Sequence, residues 1–323
     1  MRVKRLGDGP IIGPDTHPSI GTNIQGPSMI RVPDWVPAPL GRYYLYFADH
    51  KGSYIRLAYA DAVGGPWTVH PPGSLHLADS CFLTETLEAT PDELEFLRAA
   101  YEEVLGTADL PHDFATEATT PHIASPDVHV DAEGREIVMY FHGLEDLGYQ
   151  VTRRAVSADG LTFRAEPEIL GMPYMRAFAR DGWTYAITMP GRVSRSRDGR
   201  GGFEAGPTLF DRDMRHAAVR VVGDRLDVFW TRVGDAPERI LLSSVDMAGD
   251  WTAWVASEPV EVLRPEKPWE GADAPLEPSR RSTAYGHVNQ LRDPAVFEDE
   301  GRTYLLYAVA GESGIALAEL SED

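Results

Sequence analysis

The sequence predicts an all-β protein, a five-bladed β-propeller with one inserted helix. Two observations predict this fold. Short strand-like segments recur along the 323 residues in groups separated by tight turns rich in Gly and Asp. Each group also opens with a cluster of polar residues, as in the stretch 290–320, where Arg292 and Asp293 precede an apolar strand. Four-stranded blades around a central channel are the usual form of such repeats.

Five units of unequal length follow from this pattern, at about residues 23–83, 122–170, 174–210, 215–263 and 289–320. We predict one domain over residues 1–323. The last unit ends after its third strand, so the N-terminal segment 2–12 is expected to supply a fourth strand and close the ring. A β-sandwich is the alternative fold, but a sandwich does not explain why each unit opens with polar residues.

Residues 84–118 interrupt the repeats. Thr90 and Glu93 form a capping-box pattern, and Pro91 stands at the first helical position. Apolar residues at helical spacing follow, including Leu94 and Leu97. This segment predicts one helix over about residues 91–105.

The bulk composition restricts the partners. The net charge of −20 argues against binding to a nucleic-acid backbone. No window approaches the ~18 apolar residues of a membrane span, so no membrane partner is predicted. The single cysteine, Cys81, excludes an internal disulfide, and the N-terminus lacks the apolar run of a signal peptide. A cytoplasmic location is the expectation, and the oligomeric state is left open.

Polar residues at the strand starts are expected to converge. In an antiparallel blade, the start of the innermost strand and the turn between the second and third strands lie at the same end of the channel. Carboxylates, imidazoles and guanidinium groups collected there suit polyol recognition or acid–base chemistry. The candidates from these two positions are Asn23, Gln25, His50, Lys51, His122, Asp127, His142, Arg176, His216, Arg292, Asp293 and Glu312.

A family resemblance supports this interpretation. The run Arg292–Phe297, RDPAVF, resembles the blade-opening motif of the five-bladed glycoside hydrolases of the family 43, 32 and 117 group, and the runs 125–128 and 23–30 are similar to it. The resemblance implies action on a furanoside or a small galactoside-type sugar. It also implies a base Asp at the start of blade one, where this chain has Asn23 or Gln25. It further implies an acid Glu at the start of blade three, where the run 174–177 contains no Glu. Asp127 matches the family's residue that orients the acid.

These observations predict a glycoside hydrolase-like enzyme, exo-acting on a small oligosaccharide or glycoside. The two candidate carboxylates are Asp127 and Asp293. Hydrolysis with inversion would require their carboxyl groups to lie ~6.5–9.5 Å apart. His216 or His142, with His122 as a further candidate, serves as acid or orienter. The remaining candidates bind substrate, namely Asn23, Gln25, His50, Lys51, His122, Arg176, Arg292 and Glu312. Clustered arginines favour a sugar that carries a carboxylate or sulfate.

Two other functions stay open. A propeller without the family's base and acid could be a non-catalytic carbohydrate-binding module. His122, Asp127, His142 and His216 could instead serve a metal-dependent sugar-active enzyme, although no tight metal-ligand spacing supports this. The sequence therefore predicts no metal ligands and no cofactor, apart from a possible structural Ca²⁺ in the channel.

Overall fold

The computed structural model describes residues 1–105 and 113–322, and it confirms the five-bladed β-propeller. Five antiparallel sheets of four strands make up the blades. Blade one holds β2 (Gln25–Arg31), β3 (Tyr43–Ala48), β4 (Tyr54–Ala60) and β5 (Thr68–His76). Blade two holds β6 (Ile123–Asp131), β7 (Glu136–Asp146), β8 (Tyr149–Ser157) and β9 (Arg164–Ala165). Blade three holds β10 (Arg176–Arg180), β11 (Trp183–Thr188), β12 (Arg192–Ser196) and β13 (Glu204–Thr208). Blade four holds β14 (Met214–Val222), β15 (Arg225–Arg232), β16 (Ile240–Asp246) and β17 (Val260–Leu263). Blade five holds β18 (Arg292–Asp299), β19 (Arg302–Ala308), β20 (Ile315–Ser321) and β1 (Arg2–Arg5).

The N-terminus completes the last blade. β1 pairs antiparallel with β20, with Arg2 opposite Ser321 and Arg5 opposite Ala318. A second link follows where Ile12 bridges Ile315. The outer edge of β20 is therefore covered by the start of the chain, which removes an exposed template for strand pairing.

The core lies between neighbouring blades. In β3 the run YYLYFA is buried at every position, so both faces of the sheet are covered. Its Tyr44 and Tyr46 belong to a cluster with Ile137 and Met139 of blade two, whereas Leu45 and Phe47 pack with blade five. Because successive side chains point to opposite faces of a strand, β3 contributes to the cores on both sides of blade one.

Helix α1 (Pro91–Leu105) confirms the helix expected at about 91–105. The capping box is present, because the backbone N–H of Thr90 donates to Glu93 Oε2 at 2.8 Å and the N–H of Glu93 donates to Thr90 Oγ1 at 3.3 Å. A second helix, α2 (Phe114–Thr119), was not predicted. It has six residues, and Asp113 caps it by accepting from the Thr116 N–H at 3.0 Å.

Five 3-10 helices occur in the connections of the described residues, at Pro14–Thr16, Pro18–Ile20, Leu77–Asp79, Trp251–Ala253 and Pro268–Glu270. None of the helices within residues 1–105 and 113–322 has the length and apolar character needed to cross a membrane.

A repeated bulge shapes the channel. Near the start of the innermost strand the pairing is interrupted in four blades. The first of the two residues inside each interruption has a left-handed backbone: Gly26 (φ 62°), Ser125 (φ 48°), His216 (φ 49°) and Asp293 (φ 46°). In blade three, Tyr174 (φ 59°) precedes β10. A left-handed backbone costs a residue with a side chain about 1–2 kcal/mol, and a bulge changes the direction in which that side chain points. A left-handed residue thus occurs at this position in all five blades, and the bulge accompanies it in four of them.

Candidate functional site

One buried polar side chain from each blade lines the upper end of the channel, where the innermost strands begin. We call these residues the ring: Gln25, His142, Tyr174, His216 and Asp293. Each is between 1% and 8% exposed. The His142 and Tyr174 ring centroids lie 4.3 Å apart, those of Tyr174 and His216 lie 5.0 Å apart, and His216 Nδ1 lies 3.4 Å from Asp293 Oδ1. These contacts join three of the predicted candidates, His142, His216 and Asp293, with Tyr174, which the sequence did not predict.

Asp293 is the most unusual member of the ring. Both of its carboxyl oxygens are buried without a hydrogen-bond partner, because the 3.4 Å approach to His216 lacks hydrogen-bond geometry. Burial, reinforced by the nearby charge of Glu312, raises its pKa to about 7, against the opposing effect of Arg292. A carboxyl group with this pKa exchanges its proton near neutral pH, which is what a general acid or base requires.

The two ring histidines are neutral. Burial, with the positive charge of Arg215 and Arg292 beside it, lowers the pKa of His216 well below its ordinary value. Burial and His122 lower the pKa of His142 in the same way. The Nδ1 atom of each, like Nε2 of Gln25, is buried without a hydrogen-bond partner. The ring therefore presents unpaired polar atoms of uncharged groups, which a bound ligand would satisfy.

A network of buried ion pairs supports the ring from outside. Glu238 lies between two arginines: Arg215 Nε donates to its Oε1 at 2.9 Å, and Arg292 Nε donates to its Oε2 at 3.2 Å. Arg292 Nη1 also donates to Glu312 at 2.7 Å. These charges are at most 2% exposed, so they fix the relative positions of blades four and five.

Blade one joins the same network through Glu312. The Asn23 amide donates to Glu312 Oε2 at 2.7 Å and its carbonyl oxygen accepts from the His50 N–H at 2.8 Å, while His50 Nδ1 lies 3.4 Å from Glu312 Oε1. Burial opposes ionisation of Glu312, but His50 and Arg292 outweigh it and lower its pKa to about 2. Burial likewise lowers the pKa of His50, but Glu312 outweighs it and the net shift is upward.

Helix α2 adds Glu117 to the upper end. Lys51 Nζ lies 3.1 Å from Glu117 Oε1. Burial opposes ionisation of Glu117, yet Lys51 and His50 lower its pKa to about 2. His122 is buried beside them, and its Nδ1 lies 2.9 Å from the carbonyl of Thr120. Burial and the charge of Lys51 lower the pKa of His122 to about 3, so this imidazole is neutral.

Asp127 and Asp293 do not contact each other. Asp127 lies two residues beyond the bulge of blade two, and the residue equivalent to Asp293 there is Ser125. Asp127 Oδ2 instead accepts from the Ala177 N–H and contacts His129 Nε2, both at 2.8 Å. Asp127 therefore has contacts of its own, and its pairing with Asp293 stays a prediction.

Asp127 faces a different space. It lines a cavity of about 700 Å³ at the lower end of the channel, together with the ends of the innermost strands such as 31–34 and 295–299. Asp293, His142 and His216 are not among its lining residues. Burial opposes ionisation of Asp127, but its contact with His129 lowers its pKa, so this carboxyl is ionised at neutral pH.

Two predicted substrate binders are committed to other protein groups. The three guanidinium nitrogens of Arg292 donate to Gln290, Glu238, Glu312 and the carbonyls of 280 and 282. Arg176 donates to the carbonyls of Ser125, Met175 and Ala217 from between the ring and the lower cavity. Both guanidinium groups bond to protein atoms and connect the blades around the channel. The expectation of an anionic sugar depended on arginines that are available to a ligand, so it loses its basis.

Sequence reasoning missed Tyr174, Glu238 and Glu117 as site residues. Tyr174 had a signal, because it stands two residues before the third innermost strand, much as Asp293 precedes the body of the fifth. Glu238 stands in the turn after β15, the same kind of turn that supplies Glu312. Glu117 belongs to the insertion, and only the tertiary fold brings it to Lys51.

No group of three or more His, Cys, Asp and Glu side chains is placed to hold a metal ion within residues 1–105 and 113–322. Tyr174 packs between His142 and His216, so these imidazoles do not face each other directly.

The raised pKa of Asp293 makes folding stability depend on pH. Native Asp293 keeps its proton up to about pH 7, whereas the ordinary value is 3.8, so the native state binds more protons between these values. This contribution is fully present below about pH 4 and is lost as the pH rises to about 7. We expect Asp293→Asn to gain free energy of unfolding relative to wild type over this range, measured by urea denaturation at pH 4, 5.5 and 7. A constant difference at all three values would contradict the raised pKa.

Comparisons with solved structures place the fold. A GH43_1 enzyme from Xanthomonas citri superposes with a TM-score of 0.58 at 13% identity, covering 97% of this chain and 91% of that one. CoXyl43, a GH43 β-xylosidase/α-arabinofuranosidase from a compost microbial metagenome, gives 0.58 at 11% identity, covering 99% and 96%. An exo-β-1,3-galactanase from Phanerochaete chrysosporium gives 0.57 at 10% identity, covering 100% and 65%. The chain thus has the five-bladed propeller fold of GH43 enzymes.

Sequence comparison gives a nearer relative. No family model matches the chain. Uncharacterized protein R118 of Acanthamoeba polyphaga mimivirus is 36% identical over an aligned length of 324, and the alignment covers 92% of this chain and 83% of the viral protein. The chain therefore belongs to the same family as the mimivirus protein R118.

Proposed function

We propose that this protein is a glycoside hydrolase-like enzyme that cleaves a small oligosaccharide or glycoside, exo-acting, at the ring. The observation that carries the proposal is Asp293, a buried carboxyl with two unpaired oxygens and a pKa of about 7, set beside the neutral imidazole of His216. Structures of the same fold hold xylotriose, which supports a carbohydrate ligand.

We propose different roles for the two groups. Protonated Asp293 donates its proton to the glycosidic oxygen as the bond from the anomeric carbon to that oxygen breaks. A water molecule forms the new bond to the anomeric carbon and gives its proton to the carboxylate of Asp293, which restores the starting state. Neutral His216, whose Nδ1 lies 3.4 Å from Asp293 Oδ1, positions that carboxyl.

The ring is suited to a neutral sugar. Its unpaired atoms belong to the amide of Gln25, the imidazoles of His142 and His216, and the carboxyl of Asp293. The positive charges next to it are paired with buried carboxylates, as Arg292 is with Glu312 and Glu238. A carboxylate or sulfate on the substrate would therefore find no uncommitted guanidinium among these residues.

The test is a hydrolysis screen of nitrophenyl xylosides, arabinofuranosides and galactosides, and of their short oligosaccharides, at pH 6 to 7. Glucuronides and galacturonides form the anionic comparison. We expect release from at least one neutral glycoside and none from the uronides. Binding of neutral sugars without turnover would instead identify a carbohydrate-binding module, and preferential cleavage of uronides would contradict a neutral substrate.

A further inference from the structure

The ring is closed from above by the segment 279–284, which we call the strap. It belongs to the connection between β17 and β18. Arg215 Nη1 donates to the carbonyl of Arg280 at 2.8 Å, and Arg292 Nη1 donates to the carbonyl of Ser282 at 3.0 Å. The N–H of Ala284 donates to Glu312 Oε1 at 3.3 Å. The strap therefore lies on the ion pairs that support the ring.

Beneath this cover the ring holds unpaired atoms that need a partner. Asp293 and His216 are at most 4% exposed, so a sugar cannot reach them while the strap is in place. The cavity at the lower end gives no alternative route, because the guanidinium of Arg176 bonds to carbonyls on both sides of the channel. Access to the ring thus requires movement of an element at the upper end.

The contacts at residue 282 identify that element. Ser282 has a left-handed backbone (φ 73°), although it is not a glycine. Its hydroxyl donates to Glu117 Oε2 at 2.6 Å, so a residue of the inserted helix α2 holds the middle of the strap. Glu117 is itself held by Lys51 at 3.1 Å. This charge-assisted hydrogen bond therefore ties the strap to α2.

We propose that the strap is the lid of the ring and that Glu117, delivered by the insertion at 84–118, is the residue that latches it through Ser282. This inference rests on the proposed function, because it takes the ring as the ligand site. It gives α2 a role, because α2 positions the latch. Ligand enters when the Ser282–Glu117 bond opens and the strap leaves Arg215, Arg292 and Glu312.

The test measures access to the ring without any substrate. Diethyl pyrocarbonate acylates neutral imidazoles, and peptide mass spectrometry reports the rate at His142 and His216. Ser282→Gly removes the latch hydroxyl and also relieves the left-handed backbone, so this variant is expected to fold. Loss of a hydrogen bond to a charged group should raise labelling of both histidines roughly 10-fold. Glu117→Ala is the second variant, and Ser257→Ala, which removes a loop hydroxyl in blade four, is the control.

The outcomes separate the two proposals. Equal labelling of wild type, Ser282→Gly and Glu117→Ala overturns the proposal that the strap is the lid. An equal rise in Ser257→Ala also overturns it, because that rise would report a general loosening of the protein. Faster labelling confined to the two latch variants supports it. If no glycoside is hydrolysed while labelling still responds to the latch, the glycosidase proposal fails and the strap stands.

Discussion

Asp293→Asn should lower kcat/KM for a neutral glycoside by about 10³-fold, the usual scale of a lost general acid or base. The amide keeps the shape of the carboxyl but has no proton to exchange. Because burial raises the pKa of Asp293 to about 7, the wild-type group is protonated in about half of the molecules at that pH. The measurement is initial rates from pH 5 to 8 with the best substrate of the screen.

The same experiment decides between the two carboxylates. Asp127 is ionised, bonded to the Ala177 N–H and set in the lower cavity, so Asp127→Asn should keep activity within a few-fold of wild type. A comparable loss in both variants would restore the pairing of Asp127 with Asp293. A loss in neither would remove Asp293 from the chemistry. Circular dichroism of each variant establishes that it is folded.

Most of the fold was predictable because it follows from local patterns. Alternating apolar residues predicted the strands, and the Thr90–Glu93 pattern predicted the start of α1. Polar residues at strand starts predicted that the channel end would be polar, and Asp293 and His216 do lie there. Periodicity and capping act within a few residues, so the sequence alone records them.

The site was less predictable because it depends on backbone conformation and on distant contacts. In blade two the bulge places Ser125, and not Asp127, at the position equivalent to Asp293. A signal was present in the dipeptides Gly26-Pro27, Ser125-Pro126 and Asp293-Pro294, in which a proline follows the left-handed residue. Blade one also has a steric reason to lack a carboxylate: a Cβ on Gly26 would lie 3.0 Å from Ser125 Cα and 3.3 Å from its Oγ. Such an approach is visible only in three dimensions.

Glu238→Gln should have the largest effect on stability, a loss of about 3–5 kcal/mol in the free energy of unfolding. Glu238 is 0% exposed and bonds to both Arg215 and Arg292, so the amide leaves two buried guanidinium groups without their shared anion. Urea denaturation at pH 7 measures the loss. The control is Glu319→Gln, which breaks the exposed pair with Arg302 and should change stability little.

The pH dependence gives this prediction a second test. Burial opposes ionisation of Glu238, but Arg215 and Arg292 outweigh it and lower its pKa below the ordinary 4.5. A lowered native pKa means that the unfolded state binds more protons, so the contribution of Glu238 is present above about pH 4.5 and is lost as the pH falls further. The difference between wild type and Glu238→Gln should therefore narrow in acid. A difference in the free energy of unfolding that stays constant down to pH 3 would show that the variant loses stability through packing. A loss caused by the missing anion must instead become smaller as protonation removes the charge of Glu238 from the wild type.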